Sequence, residues 1–130
     1  ADSQSGLHKY EPVYQEAYTA LAVKQMELTN IYYRHGAKFL AGSAADVWGT
    51  MPGISLHTEL ELLHRAGLST REAIATATSN FADAYGWNTG KIEKDYNADI
   101  LILKSNPLEN LDNLRDIEIL IRNGKLIYKR

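Results

Sequence analysis

The sequence predicts an α/β fold in which a helical part precedes a small layer of β-strands. Up to about residue 86, apolar residues recur mainly at helical spacing, interrupted by one short continuous apolar run. Beyond Gly90, aliphatic and β-branched residues form short continuous runs that are typical of strands. The 130 residues fit one domain or a piece of a larger one. We expect a boundary that divides the chain into residues 1–88 and 89–130.

Four helices are predicted, at residues 11–35, 54–66, 70–78 and 79–85. Glycines stand where the first, second and fourth of these should end, at Gly36, Gly67 and Gly86. The third helix has a start signal, because Ser69 and Glu72 are spaced as in a capping box. Ser79 and Asn80 are expected to cap the fourth helix.

A short apolar run at residues 37–42 predicts a strand that leads through a glycine- and proline-containing loop into the second helix. Residues at the end of such a strand are functional candidates, because loops that follow strands carry the chemistry of many α/β enzymes. Here they are Ser43, Ala44, Ala45 and Asp46. If the backbone stays extended, Asp46 points the same way as Ala44, since side chains alternate along a strand. Ser43 lacks the motif of a serine nucleophile.

Three strands are predicted in the second part, at residues 98–103, 117–121 and 126–128. Asn123 and Gly124 lie between the last two and favour a tight hairpin, because both tolerate positive φ. Asp99 is expected to make a structural hydrogen bond at the start of its strand.

Composition excludes several classes of function. Hydrophobic residues make up 45% and charged residues 23%, as in ordinary globular proteins. A formal net charge of -2 argues against a nucleic-acid or anionic membrane partner. There is no cysteine, so any metal would need His and carboxylate ligands. No apolar run approaches the roughly 20 residues that span a bilayer, and we expect a cytoplasmic protein.

Two histidines lie on the second predicted helix. His57 and His64 are seven residues apart, or roughly 10 Å by helical rise, so they are poorly placed to chelate one ion. With Glu59 and Glu61 between them, a solvated helix face is the favoured interpretation. His57 is kept as a candidate for substrate binding, and Asp46 as a catalytic candidate. A small intact enzyme that uses these two residues is an alternative with little support.

Eight short segments, in order, resemble the C-terminal portion of the metal-dependent amidohydrolase superfamily, in its imidazolonepropionase-like and prolidase-like branch. They are GSA at 42–44, PGISLHTELELL at 52–63, AGLSTREAI at 66–74, ATSN at 77–80, GKIE at 90–93, ADIL at 98–101, NPL at 106–108 and NGK at 123–125. The resemblance covers roughly residues 15–130.

The resemblance implies the terminal part of a (β/α) barrel, with a long helix, a strand and helices, followed by strands of a C-terminal β-sandwich segment. A complete barrel needs roughly 200 residues or more. Such enzymes resemble one another in holding divalent ions, often zinc, which activate water for attack on a C–N bond. Their last barrel strand normally ends with an Asp that binds metal and shuttles protons. The matching residue here is Ala44, which can do neither.

Two further departures from the superfamily pattern stand out. Its metal-binding histidines lie ahead of the matched region, so no metal site or cofactor is expected for this chain alone. A glycine that is usual between GKIE and ADIL is Asp95 here, a tolerable change because Asp enters the left-handed backbone region more easily than most residues.

These observations predict a hydrolase fragment that is inactive alone. The activity of its parent would be metal-dependent hydrolysis of a non-peptide or dipeptide C–N bond. We expect that residues have been removed ahead of Ala1 by processing or truncation, and Ala44 could be a natural loss or a deliberate replacement. The expected partner is the missing N-terminal part of the barrel or a second copy of the chain, with a small-molecule substrate only if the barrel is completed. The alternative is a non-catalytic binding or assembly module derived from an amidohydrolase.

Overall fold

In a computed structural model, residues 11–45 and 50–130 are described, and they form four helices, a 3-10 helix and three strands. The elements are α1 (Glu11–Arg34), α2 (Ile54–Arg65), α3 (Thr70–Thr76), α4 (Ser79–Tyr85), β1 (Ile100–Leu103), the 3-10 helix (Leu111–Arg115), β2 (Ile117–Arg122) and β3 (Lys125–Lys129). The order of helices before strands confirms the predicted α/β class.

The helix ends follow the predicted glycines. Gly36, Gly67 and Gly86 all have positive φ, where a residue without a side chain is favoured. The capping box at α3 is present, because the Ser69 side chain accepts from the Glu72 amide and the Ser69 amide donates to the Glu72 carboxylate at 2.8 Å. These reciprocal bonds satisfy amides that have no partner within the helix.

The predicted cap of α4 is wrong. Thr78 is the N-cap residue and makes no side-chain capping bond, while Ser79 is already the first helical residue. Asn80 instead donates from its side-chain nitrogen to the carbonyl oxygen of Phe39, at 2.9 Å. A tertiary contact has thus taken the side chain that the local sequence offered for capping.

The three strands form one antiparallel sheet in the order β1-β2-β3. Asn123 and Gly124 have φ of 48° and 72°, as the tight hairpin between β2 and β3 requires. Asp99 accepts a hydrogen bond from the Asn123 amide at 2.7 Å, which ties the start of β1 to this turn. Asp99 thus has the structural role that we predicted, but its partner lies 24 residues away and not in the local sequence, where we expected it. Asp95 has φ of 68°, within the left-handed region.

The segment predicted as a strand at residues 37–42 differs from the expectation. In the described part of the chain it belongs neither to a helix nor to the sheet. The Ala41 amide donates to the carbonyl oxygen of Thr76 at 3.0 Å, so the segment packs on α3. A strand exists only with a neighbouring strand to pair with, and no described strand lies beside this segment.

The core lies between the helices. Leu60 and Leu63 of α2 pack with Ala41, Leu68, Ala73 and, from the 3-10 helix, Leu111. Apolar residues of α2 and α3 recur at helical spacing, so each helix turns one face to this cluster. Of the described strand residues, none is fully buried. No described helix has both the length and the apolar character needed to cross a membrane.

Contacts at the junction hold the helical part and the following loop together. Gly90 has φ of 78°, and a Cβ atom at this position would lie 2.4 Å from the carbonyl oxygen of Thr78. The Lys91 ammonium is 2.6 Å from the Asp83 carboxylate on α4. This ion pair lowers the pKa of Asp83 through the hydrogen bond from Lys91. The chain therefore leaves α4 along a closely packed path.

Candidate functional site

The loop after residue 41 and the start of α2 enclose a cavity of about 360 Å³. Ala44, the residue at the expected catalytic position, lies on its wall. Four hydroxyl-bearing residues and one acid share the lining, and the full set is Gly42, Ser43, Ala44, Thr50, Met51, Ile54, Ser55, Thr58, Glu59 and Leu62. The cavity can therefore offer neutral hydrogen-bonding groups and one carboxylate to a small molecule.

Two local hydrogen bonds shape this wall. The Thr50 hydroxyl donates to the Ala44 carbonyl oxygen at 2.5 Å, which joins the two described ends of the loop. The Met51 amide donates to the Ser55 hydroxyl at 2.8 Å, and the Ser55 amide donates back to the Met51 carbonyl. Helix α2 thus begins with a side-chain contact made by Ser55, while its N-cap residue Gly53 has no side chain to use.

Ala44 has φ of 44°, in the left-handed region. For an L-residue such as alanine, this conformation costs about 1–2 kcal/mol, whereas Asp and Asn adopt it more readily. The backbone at this position therefore suits a residue type other than the one that occupies it. Its methyl group offers neither a ligand atom nor a proton acceptor to the cavity.

His57 does not line the cavity that contains Ala44. It is half-buried and faces the 3-10 helix, where the charges of Arg115 and Asp112 act on it. Partial burial lowers the pKa of His57, and the Arg115 charge lowers that pKa further, against an opposing effect of Asp112. A neutral imidazole is therefore favoured at neutral pH. Its suggested role in substrate binding stays a prediction.

Asp46, the second catalytic candidate, lies outside the described residues. His64 is exposed on α2, and its Nδ1 atom lies 2.7 Å from the Leu68 carbonyl oxygen. The solvated-face interpretation fits His64, while His57 is half-buried beside the 3-10 helix. The two histidines therefore lie on the same helix, but His57 is partly buried and His64 is exposed.

Glu59 is the residue that the sequence analysis overlooked. We grouped it with the solvated face of α2, but it lines the cavity beside Ala44 and also a second, apolar groove between α1 and α2. Ser55, Glu59 and Leu62 are spaced four and three residues apart, so they share one face of the helix. This periodicity was the available signal.

The described residues do not fit the metal centre that the superfamily pattern implies. Nowhere in residues 11–45 and 50–130 do three His, Asp or Glu side chains come together in a way that could hold a metal ion. Among the described residues Glu59 is the one carboxylate in the cavity lining, and the side chain of Ala44, where the resemblance predicts a ligand, has no ligand atom. A structural zinc site needs about four ligands and a catalytic one about three.

A further acidic network serves the fold. The Tyr33 hydroxyl donates to the Glu72 carboxylate at 2.7 Å, which ties α1 to the start of α3. Bonds from Ser69 and then from Tyr33 lower the pKa of Glu72. Glu72 therefore has two structural roles, since it caps α3 together with Ser69 and holds α1 against α3 through Tyr33.

The amidohydrolase family model matches residues 19–127, which is most of the chain. The chain therefore belongs to the amidohydrolase family, and its fold is the terminal part of the family's (β/α) barrel followed by strands of the sandwich segment. Members of this family generally use a divalent metal ion. No curated protein matches the sequence.

Solved structures agree with this assignment. The chain resembles ochratoxinase of A. niger with a TM-score of 0.72 and 26% identity, over 85% of this chain and 26% of that one. An amidohydrolase matches with a TM-score of 0.68 and 26% identity, over 81% of this chain and 26% of its own. A Xaa-Pro dipeptidase with bound methionine matches with a TM-score of 0.67 and 25% identity, over 81% of this chain and 25% of its own. The chain thus spans about a quarter of the length of these relatives.

Proposed function

We propose that this chain is the C-terminal portion of a metal-dependent hydrolase of C–N bonds and that it has no catalytic activity by itself. The observation that carries the proposal is the wall of the cavity at residues 42–44. Residues 42–44 and the start of α2 line this cavity, and Ala44 stands where the resemblance to the family predicts a metal-binding and proton-shuttling acid. Ligands from elsewhere in a barrel would be needed to assemble a reactive centre.

The substrate class that we propose for the complete protein is an amide, either in a dipeptide or in a non-peptide compound. Support comes from the relatives, which include a Xaa-Pro dipeptidase and an ochratoxinase at 25% and 26% identity. The cavity lining is mostly apolar, and it fits a small molecule with an apolar body and a few polar groups, to which the hydroxyl groups of Ser43, Ser55 and Thr58 can donate and from which they can accept. Cytoplasmic localisation and the division at residue 88 stay predictions.

A non-catalytic assembly module is the second candidate function. Its support is the exposed apolar surface, which includes Leu21, Leu28 and Ile31 on α1, each more than half exposed. Contiguous apolar surface of this kind is typical of a face that contacts other protein. Under this proposal the family fold has been kept for association.

Elemental analysis and a hydrolysis assay on the same sample test the proposed function. The chain is dialysed first against zinc and then against metal-free buffer, and it is assayed on dipeptides and N-acyl amides. We expect a zinc-to-chain ratio near zero and no turnover above buffer. A ratio near one together with hydrolysis would overturn the proposal.

A matched pair of variants, Ala44→Asp and Ala44→Asn, extends this test. The first supplies a carboxylate and the second its uncharged counterpart, and both side chains suit the left-handed backbone at this position. We expect neither variant to bind zinc or to turn over substrate, because Glu59 is the one other acidic or imidazole side chain that the described residues bring to the cavity, and a zinc site needs about three or four ligands. If only the Asp variant bound zinc, the absence of an acid at residue 44 would by itself explain why the chain does not bind zinc.

A further inference from the structure

The turn between β2 and β3 holds the one Asn-Gly pair of the sequence, Asn123 and Gly124. In such a pair the backbone nitrogen of the glycine can attack the carbonyl group of the asparagine side chain, because glycine has no Cβ atom to obstruct the approach. Both residues are exposed, and a Cβ atom built on Gly124 would meet nothing within 4 Å. Crowding therefore does not protect this pair.

The two turn amides are held by the residues that precede β1. In a two-residue hairpin the amides of the central residues take no part in the hydrogen-bond ladder of the hairpin itself. Here the Gly124 amide donates to the Ala98 carbonyl oxygen at 3.0 Å, and the Asn123 amide donates to Asp99 Oδ1 at 2.7 Å. The nitrogen that would attack is thus engaged in a hydrogen bond to a third segment of the sheet.

Asp99 also links this turn to the junction with the helical part. Its Oδ2 atom lies 3.4 Å from the Thr89 hydroxyl, while its Oδ1 atom accepts from the turn. The Asn97 amide donates to the Asn88 carbonyl oxygen at 2.7 Å, which closes the loop that carries Thr89. Asp99 therefore holds the turn with one carboxylate oxygen and contacts the junction loop with the other.

Charges around the turn act in opposite directions on its amides. Arg122 and Lys125 lie opposite each other in the register, and neither forms an ion pair in the described part of the chain. Cations near a backbone amide favour its deprotonation, whereas the Asp99 carboxylate disfavours it. Like charges directly opposite one another also destabilise the end of the hairpin. The protection of the turn therefore depends on its bonds to Ala98 and Asp99.

We propose that Asn123 is a modification site, converted to aspartate and isoaspartate at a rate set by the bonds to Ala98 and Asp99. When the turn leaves β1 in a local opening, the Gly124 nitrogen loses its proton and forms a bond to Asn123 Cγ. The bond between Cγ and Nδ2 breaks, and Nδ2 leaves as ammonia after taking up one proton, equal to the one that the amide lost. Water then opens the succinimide ring at either carbonyl, so no oxidant is needed.

The products weaken the contact that protects the turn. Each conversion adds a negative charge to a chain whose formal net charge is -2, on a residue whose amide contacts the Asp99 carboxylate. Like charges at short range repel each other. In isoaspartate the backbone is also longer by the former side-chain methylene group, which disturbs the register of β2 with β3. The proposal concerns the sheet and does not rest on the proposed hydrolase origin of the chain.

Incubation of the folded chain at neutral pH, followed by mass spectrometry, tests the proposal. Cleavage after Glu118 by a glutamate-specific protease releases residues 119–130, in which Asn123 is the only asparagine. We expect this peptide to gain the mass of the amide-to-acid change and to separate into aspartate and isoaspartate forms. The same chain in urea gives the rate of the unprotected turn, and we expect the folded chain to react at least about tenfold more slowly.

A variant of Asp99 tests the protective bond directly. Asp99→Ala removes the acceptor of the Asn123 amide and should speed the conversion in the folded chain about three- to tenfold. Glu93→Ala removes another exposed acid from the junction and is the matched control, which should leave the rate unchanged. Circular dichroism checks that each variant is folded. If Asp99→Ala is not, Thr89→Val decides, since it removes the contact of Asp99 Oδ2 and should act in the same direction.

Conversion at another asparagine while Asn123 stays intact would overturn the proposal, as would equal rates in the folded chain and in urea. A slower reaction in the folded Asp99→Ala variant would make Asp99 the base that activates the turn. An unchanged rate in that variant would show that Asp99 plays no part, and either result would overturn its protective role. None of these results bears on the zinc and turnover assays, so the two proposals fail separately.

Discussion

The helical part and the sheet use apolar residues in different ways. In the helical part, Leu60 and Leu63 are 4% and 7% exposed and have neighbours from several elements. In the sheet, Leu126 is 61% exposed and Ile127 58%, although the strands are just as apolar in sequence. The helical part has a core of its own, whereas none of the described elements forms a layer that covers the faces of the sheet.

This difference shows that an apolar pattern does not ensure burial. A sheet that is apolar on both faces is typically covered on both sides by other layers. Here the register sets Leu101, Leu120 and Tyr128 side by side on one face of the sheet. The apolar character of that face fits the fact that the solved relatives are about four times as long as this chain.

The largest effect is expected from a matched pair of leucine truncations. Leu60→Ala removes a side chain from the core of the helical part and should lower the free energy of unfolding by about 2–5 kcal/mol. Leu126→Ala removes the same atoms from the exposed sheet and should change it by less than about 0.5 kcal/mol. Urea unfolding of both variants measures the two changes. Equal losses would contradict the distinction between a packed helical core and an uncovered sheet.

A pair of glycine substitutions tests how firmly the two regions are joined. Gly90 and Gly124 have similar positive φ, so alanine costs about 1–2 kcal/mol at either position. At Gly90 the new methyl group would also meet the Thr78 carbonyl, whereas at Gly124 it meets open space. Gly90→Ala should therefore cost about 1–3 kcal/mol more than Gly124→Ala in thermal or urea unfolding. A difference near zero would mean that the backbone around Gly90 and Thr78 can shift to accommodate the methyl group at little cost.

The smallest effect concerns the contact between α2 and the 3-10 helix. Partial burial, followed by the Arg115 charge, lowers the pKa of His57 below its ordinary 6.5. The unfolded chain then binds more protons than the folded one, so stability is retained above pH 6.5 and lost as pH falls through that value. We expect His57→Asn to flatten the pH dependence of the unfolding midpoint between pH 7 and 5. An unchanged slope would mean that His57 is solvated in the folded chain.

Elements with strong local signals were predictable from sequence. The capping box of Ser69 and Glu72, the hairpin at Asn123 and Gly124, and the left-handed Asp95 all depend on the backbone preferences of a few residues. The bounds of α2 and α4 likewise follow from the glycines that end them. Where residues adjacent in sequence decide the local structure, that structure can be predicted from the sequence alone.

Predictions that depended on distant neighbours fared differently. Residues 37–42 were expected to form a strand, but a strand needs a paired neighbour and none of the described strands is adjacent. Asn80 was expected to cap α4, but it bonds to Phe39, forty-one residues earlier in the chain. Glu59 was assigned to the solvated face of α2 until the fold placed it beside Ala44.

The sequence by itself determined the family and the order of helices and strands. Those facts reside in residue identity, spacing and local backbone preference. Only the tertiary structure decided which face of α2 lines the cavity, that His57 faces the 3-10 helix, and that the described residues leave much of the sheet exposed. Burial and pairing are properties of contacts between distant segments, which no local pattern specifies.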